Sequence, residues 1–291
     1  MTDSNKVKSI KSRLLNMADG DNKKYQQLVV RFIHERLLYR LSKSEYREKF
    51  ILKGGALLYA FEEFVPRPTL DMDFMGRHID NDKENILKSF REIAAMSYPE
   101  DGIIFLPQTM TAENITVEKK YPGVRISMGA NIGTYRQNLT LDVGFGDLII
   151  PRPMELEYPT VFETMEEPAI MAYSLETVVA EKFQTMIDRG RFNSRMKDYF
   201  DLYRILSVHS FEESVLFKAI AATFHNRGTE YDGQHDFFKD DFGNDKMLNL
   251  QWNNYIRKMK LNLPPFMEVH KSIANYLKPF WEQLKKYKAD I

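Results

Sequence analysis

The stretch "TLDMDFM" alternates polar and apolar residues with the period of a β-strand and places Asp71 and Asp73 two residues apart. Side chains at that spacing point to one face of a strand, with Met72 and Phe74 on the other. Adjacent carboxylates repel, and burial adds a desolvation cost unless a cation or a hydrogen-bond network offsets both. A magnesium ion meets that need, because it prefers hard oxygen ligands and often joins protein carboxylates to substrate phosphates. The alternative is an exposed edge strand whose two acids are solvated. Asp142, in the Leu/Val-flanked "NLTLDVGFGD", is a candidate third metal ligand, and equally a strand-end acid before a Gly-x-Gly turn. Three converging carboxylates would hold one or two magnesium ions and suit phosphoryl transfer. Asp147 is a weaker instance of the same pattern.

Other residues fit that chemistry. Gly54 and Gly55 would let the backbone approach a phosphate and offer it N–H groups, or would simply make a tight start to a helix. Arg67, shortly before the acid pair, could add a phosphate contact or be a surface arginine. Lys182 lies at the margin of an apolar helical stripe, three residues after Val179 and four after Val178, where it either snorkels or points its ammonium at bound phosphates. Asp198 and Asp201 share a helix face, as a second acidic site or as partners for Arg195 and Lys197. Arg189, Arg191, Arg195, Lys197 and Arg204 form a local basic crowd that could contact RNA phosphates or belong to a solvated helical hairpin. The six histidines lack metal-ligand spacing, and no nucleophile elbow, Walker loop or dinucleotide glycine pattern is present.

These residues need elements to position them. Apolar spacing predicts a helix over Tyr25 to Leu41, and Ser42 with Glu45 reads as a capping box opening another short helix. A helix behind Gly54-Gly55, the Asp71 strand, a charged helix from Asp82 to Met96 and strands in "ITVEKK", "VRISMGANIG" and "NLTLDVGF" follow. Later patterns are helical: "SLETVVAEKFQTMIDRG", N-capped by Ser174 and C-capped by Gly190, then "SRMKDYFDLYRIL", "FKAIAATF" and "MEVHKSIANYLKPFWEQLKK". Between the last two runs a long polar connector, "HNRGTEYDGQHDFFKDDFGND". The expected organisation is N-terminal helices over 1–44, an α/β core over 45–165 and a helical domain over 166–291.

Whole-chain properties narrow the class. The 291 residues carry 41 Lys+Arg against 41 Asp+Glu, so any polyanion site is a local patch and not a global field. The N-terminal stretch lacks an apolar signal core and no later run is long enough to span a bilayer, which predicts a soluble, cytoplasmic protein with no membrane partner. The absence of cysteine excludes disulfides, thiolate metal sites and a cysteine nucleophile.

Taken together, these motifs resemble the AbiEii/AbiGii family of nucleotidyltransferase toxins, a branch of the DNA polymerase β-like superfamily. "ERLLYRLSKSEYREKFILKGGALLYAF" is similar to the family's lead-in, and "RPTLDMDF" to its Arg-x-Thr-x-Asp-x-Asp motif. "GVRISMGANIG", "LTLDVGFGD" and "PRP" resemble its later strands, and "SLETVVAEKFQTMIDRGRFNSRMKDYFDLY" its Ala-Glu-Lys and Arg-x-Lys-Asp-x-x-Asp motifs. "TFHNRGTE" and "QWNNYIRK" resemble its C-terminal helical region, so the similarity spans roughly residues 30 to 260.

The resemblance implies an α+β fold, with a polymerase β-like core of mixed sheet and flanking helices followed by a helical C-terminal domain. It implies magnesium-dependent transfer of a nucleoside monophosphate from a nucleoside triphosphate to an acceptor, with RNA, at the 3′ end of tRNA, as the leading one. It further implies the toxin role of a toxin–antitoxin or phage-defence pair, with a cognate antitoxin. Asp71 and Asp73 would hold magnesium, Gly54, Gly55 and Thr69 would contact the nucleotide, Lys182 would engage phosphates, and Asp198 would be the second-lobe acid, with Asp201 matching the spacing equally well. With RNA as acceptor, Arg189, Arg195 and Lys197 of the basic crowd described above are the candidates to contact it, a solvated helical hairpin being the alternative. Nucleotidylation of a protein hydroxyl, or binding of GTP without turnover, are the alternative functions.

Overall fold

The computed structural model describes residues 3–61, 69–117 and 121–287. They belong to two compact units, Met1–Gly146 with Pro153–Tyr173, and Asp147–Arg152 with Ser174–Ile291. The first unit contains, in chain order, α1 (Asp3–Ala18), α2 (Asn22–Ser42), β1 (Phe50–Lys53), α3 (Gly54–Leu58), β2 (Asp71–Gly76), α4 (Lys83–Ala95), β3 (Ile103–Val117), β4 (Tyr121–Ile132), β5 (Tyr135–Gly144), β6 (Met154–Glu157) and β7 (Ala169–Ala172). The second contains α5 (Leu175–Arg189), α6 (Met196–Val208), α7 (Glu213–Asn226), α8 (Lys246–Met259) and α9 (Phe266–Leu284).

Helix starts follow local capping chemistry. Asp21 accepts from the Lys23 and Lys24 amides at 2.8 and 3.1 Å, Asp82 from Asn85 at 3.0 Å, and Ser174 from Thr177 at 3.3 Å. The capping box expected at Ser42 is absent. Ser42 is the last residue of α2, its hydroxyl donates to the Tyr39 carbonyl at 2.8 Å, and turns occupy residues 43–49. Helix propensity carried through Ser42 and its side chain satisfied a C-terminal carbonyl instead of opening a new helix.

The seven strands form one mixed sheet ordered β3-β4-β5-β2-β1-β7-β6, with β2/β5 and β1/β7 parallel and the other neighbours antiparallel. With its flanking helices and the helical second unit it gives the expected α+β class. Strands β1, β6 and β7, four residues each, escape a periodicity reading because so short a run carries little pattern. The strand read from "ITVEKK" is the end of a much longer edge strand, β3, and its last three residues lie outside the described ones. Pro107 is tolerated there because β3 lies at the sheet edge and its register shifts between Leu106 and Thr111.

The core beneath β2 is aromatic. Phe50 on β1, Phe74 on β2 and Phe90 on α4 are each at most 1% exposed, with ring centroids 4.6 to 6.3 Å apart. Burial of such a side chain stabilises by about 1.5–3 kcal/mol, which pins the apolar face of β2 and turns Asp71 and Asp73 the other way. In the second unit the connector read as polar contains Phe237 and Phe242, both fully buried, and the Phe237 carbonyl lies 2.8 Å from His270 Nε2. Two large apolar anchors therefore hold a segment whose composition is hydrophilic.

Helix α2 buries titratable groups on its inner side. Burial pushes His34 down to about 4, partly opposed by the Leu70 backbone, and pushes Glu35 up to about 8 against the pull of Arg36 and the Val161 amide, which donates to Glu35 Oε2 at 2.6 Å. A lowered histidine contributes stability that is present above its ordinary value of 6.5 and lost as pH falls toward 4. A raised carboxyl contributes stability that is present below 4.5 and lost as pH rises through 8. Urea midpoints measured against pH should therefore fall on both sides, with His34→Gln flattening the acid limb and Glu35→Gln the alkaline one.

Candidate active site

In the first unit the site is built on β2. Asp71 is exposed and Asp73 half-buried, on the sheet face opposite Met72 and Phe74. Strand register sets Asp73 beside Asp142 of β5 and Lys53 of β1, and Asp71 beside Thr140. The parallel β2/β5 pairing thus makes Asp73 and Asp142 neighbours, as the three-carboxylate idea requires. Arg125, across from Asp142 on β4, donates Nε to Oδ1 and Nη2 to Oδ2, both at 2.8 Å. That hydrogen-bonded pair holds the guanidinium above its usual range, with Asp71 adding to the effect. Both Asp142 oxygens are engaged by Arg125, and among the described residues no group of three or more His, Cys, Asp or Glu is arranged to hold a metal.

Gly54 begins α3 with φ +69°, a left-handed conformation that a side chain would strain. A Cβ there would lie 2.0 Å from Asp73 Oδ2 and 2.7 Å from its Cγ, so the carboxylate occupies the space that a side chain would need. Gly55 is buried behind it. The Thr69 hydroxyl donates to the Asp71 carbonyl at 3.1 Å, bracing the chain where β2 begins. Lys53 Nζ donates to the Tyr173 hydroxyl at 3.3 Å and lies 5.0 Å from that ring's centroid. Arg67 lies outside the described residues.

These donors fit magnesium. The ion uses one or two carboxylates and keeps waters or substrate phosphates in its remaining positions, so Asp71 and Asp73 suffice without a third acid. The glycine that lets Asp73 lie against α3 is the observation that supports this fit.

In the second unit α5 and α6 form a buried ion-pair set. Lys182 Nζ donates to Asp198 Oδ1 and to Asp201 Oδ2, each at 2.8 Å, and Arg195 Nε donates to Asp198 Oδ2 at 2.6 Å. The side chains of Asp198 and Asp201 are 2% and 0% exposed, and that of Lys182 is 13% exposed. Burial alone would raise the Asp198 carboxyl, but Lys182 and Arg195 outweigh it and hold Asp198 well below the usual carboxylate range. One ammonium serves both Asp198 and Asp201.

The basic crowd is dispersed. Arg195 is committed to Asp198, and Arg191 contacts Asp236, Asp241 at 3.0 Å and Asp245 at 3.5 Å. Arg189 is half-buried and Lys197 exposed. Asp147 pairs with buried Arg227, whose Nη2 donates to Oδ1 at 2.9 Å and whose Nη1 donates to Gln184 Oε1 at 3.0 Å. Sequence reasoning passed over Arg125 and Arg227; Arg125 shares the period-two face of "VRISM", but its facing Asp142 is a matter of register.

A mixed sheet with an aspartate pair beside a glycine turn, followed by helices, agrees with the nucleotidyltransferase class that the family match shows. More narrowly, the chain is a member of the nucleotidyl transferase AbiEii toxin family of type IV toxin–antitoxin systems, whose family model matches residues 36–285. Two solved structures from Helicobacter pylori are similar over 90% of this chain. JHP933 shows 16% identity and a TM-score of 0.48 over 94% of its own length. A second, described as a candidate nucleotidyltransferase, shows 15% identity and a TM-score of 0.47 over 98% of its length. No curated protein matches the chain. No described helix is long and apolar enough to cross a membrane.

Substitutions in each unit probe this geometry. Gly20 has φ +78° with open space around it, so Gly20→Ala and Gly54→Ala share a backbone penalty of about 1–2 kcal/mol, while only Gly54→Ala displaces Asp73. Calorimetry should show magnesium–nucleotide binding weakened more than tenfold by Gly54→Ala and unchanged by Gly20→Ala. Lys182→Met strands two buried carboxylates, and urea unfolding of the full chain should show a loss of about 3–5 kcal/mol, which adding Asp201→Asn partly restores.

Proposed function

We propose that this chain is a magnesium-dependent nucleotidyltransferase that transfers a nucleoside monophosphate from a nucleoside triphosphate to RNA, with the 3′ end of tRNA as acceptor. It acts in the cytoplasm as the toxin of a pair whose other member is a cognate antitoxin. The observation that carries the reading is the Asp71/Asp73 pair with the Gly54 backbone set against the Asp73 carboxylate. Family membership supports the same reaction class.

Asp71 and Asp73 would hold magnesium, which when bound neutralises triphosphate charge and favours departure of pyrophosphate. The Gly54-Gly55 backbone offers a close approach to phosphate, and Thr69 keeps the start of β2 in place through the Asp71 carbonyl. Arg125 holds both Asp142 oxygens and orients that carboxylate beside Asp73, which leaves Asp142 a supporting part in ligation. Lys182 contributes positive charge for a phosphate, and Asp198, with Asp201, orients that ammonium. In the reaction the acceptor hydroxyl oxygen bonds to the α-phosphorus, the bridging α–β P–O bond breaks, pyrophosphate leaves and the hydroxyl proton passes to solvent.

Incubation of the purified chain with labelled nucleoside triphosphates, magnesium and total tRNA tests the reading. Label should enter RNA, and Asp71→Asn should lower the rate at least a hundredfold with an unchanged melting temperature, because Asp71 is exposed. Label in a protein band and none in RNA would instead select nucleotidylation of a protein hydroxyl. Magnesium-dependent nucleotide binding without pyrophosphate release would select a non-catalytic nucleotide-binding protein.

A further inference from the structure

One row of charged side chains crosses the sheet of the first unit. Strand pairing sets Lys53 of β1 beside Asp73 of β2, Asp73 beside Asp142 of β5, and Asp142 beside Arg125 of β4. Paired residues on neighbouring strands point to the same side, so two central acids are flanked by two outer cations. The cations are held differently. Arg125 gives two bonds of 2.8 Å to Asp142 and engages both of its oxygens. Lys53 donates to the Tyr173 hydroxyl across a long 3.3 Å, with its ammonium 5.0 Å from the ring centroid.

Tyr173 is a firm support. It is 1% exposed, and its amide donates to the Leu52 carbonyl at 3.0 Å, where β7 runs parallel to β1. In the strand order β1 lies between β2 and β7, so Lys53 has Asp73 on one side and Tyr173 on the other. It also ends β1 and directly precedes Gly54, whose backbone lies against the Asp73 carboxylate. One magnesium does not cancel the charge of a triphosphate, and two carboxylates add to the excess, so nucleotide binding there calls for a cation close by. A lysine suits that task, because three donors on a flexible stem let one stay with Tyr173 while another reaches a phosphate oxygen. Metal ions in phosphoryl transfer bridge the β- and γ-oxygens, so a cation beside a metal-holding carboxylate meets those two phosphates.

We propose that Lys53 contacts the β- and γ-phosphates of the nucleoside triphosphate, with the Tyr173 hydroxyl as its positioning partner. This rests on the nucleotidyltransferase reading above and is independent of which acceptor receives the nucleotide. It places a phosphate-binding cation in the unit that holds the Asp71/Asp73 pair.

Isothermal titration of the full chain with each of the four magnesium–ribonucleoside triphosphates finds the tightest. Magnesium tripolyphosphate, which has the phosphates without sugar or base, is then titrated as its competitor. Lys53→Met should weaken both by more than about tenfold, the scale of one charge-assisted hydrogen bond, with an unchanged melting temperature. Lys53→Arg, which keeps the charge, should recover most of the affinity, and Tyr173→Phe, which removes only the hydroxyl, should fall between the two. Lys53→Gln, neutral and polar, carries the expectation of the methionine variant if that one does not fold. Wild-type affinity in the neutral variants overturns the proposal. So does tripolyphosphate that fails to compete in the wild type, or that competes equally well in the variants, which would assign Lys53 to the ribose or base. Equal losses in Lys53→Arg and Lys53→Met overturn it by assigning the effect to shape instead of charge. A wild-type chain that binds neither probe removes the nucleotidyltransferase reading and this contact together, whereas failure of the contact alone leaves wild-type binding intact.

Discussion

The carboxylate of Asp73 occupies the space that a side chain at residue 54 would fill, and the organisation of the first unit follows from that contact. For it to form, β1 must end where β2 carries its second acid, which the antiparallel register achieves by setting Lys53 opposite Asp73. The chain must then turn through a left-handed residue into α3, which glycine permits at low cost. Beneath the pair, Met72 and Phe74 are buried, with Phe50 and Phe90 packed around Phe74, so the acids cannot rotate inward without exposing aromatic surface. A hydrophobic face on one side of β2 thus orients a polar site on the other.

Charge is balanced over the chain as a whole, 41 cationic against 41 acidic residues, and also balanced locally. Asp142 is matched by Arg125, Asp147 by Arg227, and Asp198 and Asp201 by one lysine together with Arg195. Desolvated acids need such partners, since the attraction must offset the loss of hydration. Asp71 differs in being exposed, with Asp73 half-buried beside it. A magnesium ion held there, as proposed, would be reached from solvent and would keep part of its hydration shell.

In the second unit one short connection does two things. By linking α5 to α6 it brings Lys182 against Asp198 and Asp201, and it holds Phe192 out into water. The Asn193 and Arg191 contacts brace the turn between the ion-pair set and the exposed ring. In the first unit α2 buries a neutral histidine and a carboxyl that both favour their uncharged forms, which couples stability to pH from opposite directions.

Much was determined by sequence alone. The period of two in "TLDMDFM" implied that Asp71 and Asp73 share a face; Asp82, Ser174 and Gly190 marked helix ends; and the spacing of Asp198 and Asp201 implied one helix face. These are properties of a single element, where geometry follows from residue order. The combined motifs likewise carried the family, which spans residues 36–285. Register, burial and long-range pairing had to come from tertiary structure. It alone set Asp142 beside Asp73 and then gave both its oxygens to Arg125, and it alone made Lys182 the common partner of two acids. It also turned a polar connector into a segment anchored by Phe237 and Phe242 and replaced a capping box at Ser42 with the end of α2. The reason is physical: local pattern dictates which way a side chain points on its own element, but what it meets there depends on residues distant in sequence, through a register and packing that no single segment encodes.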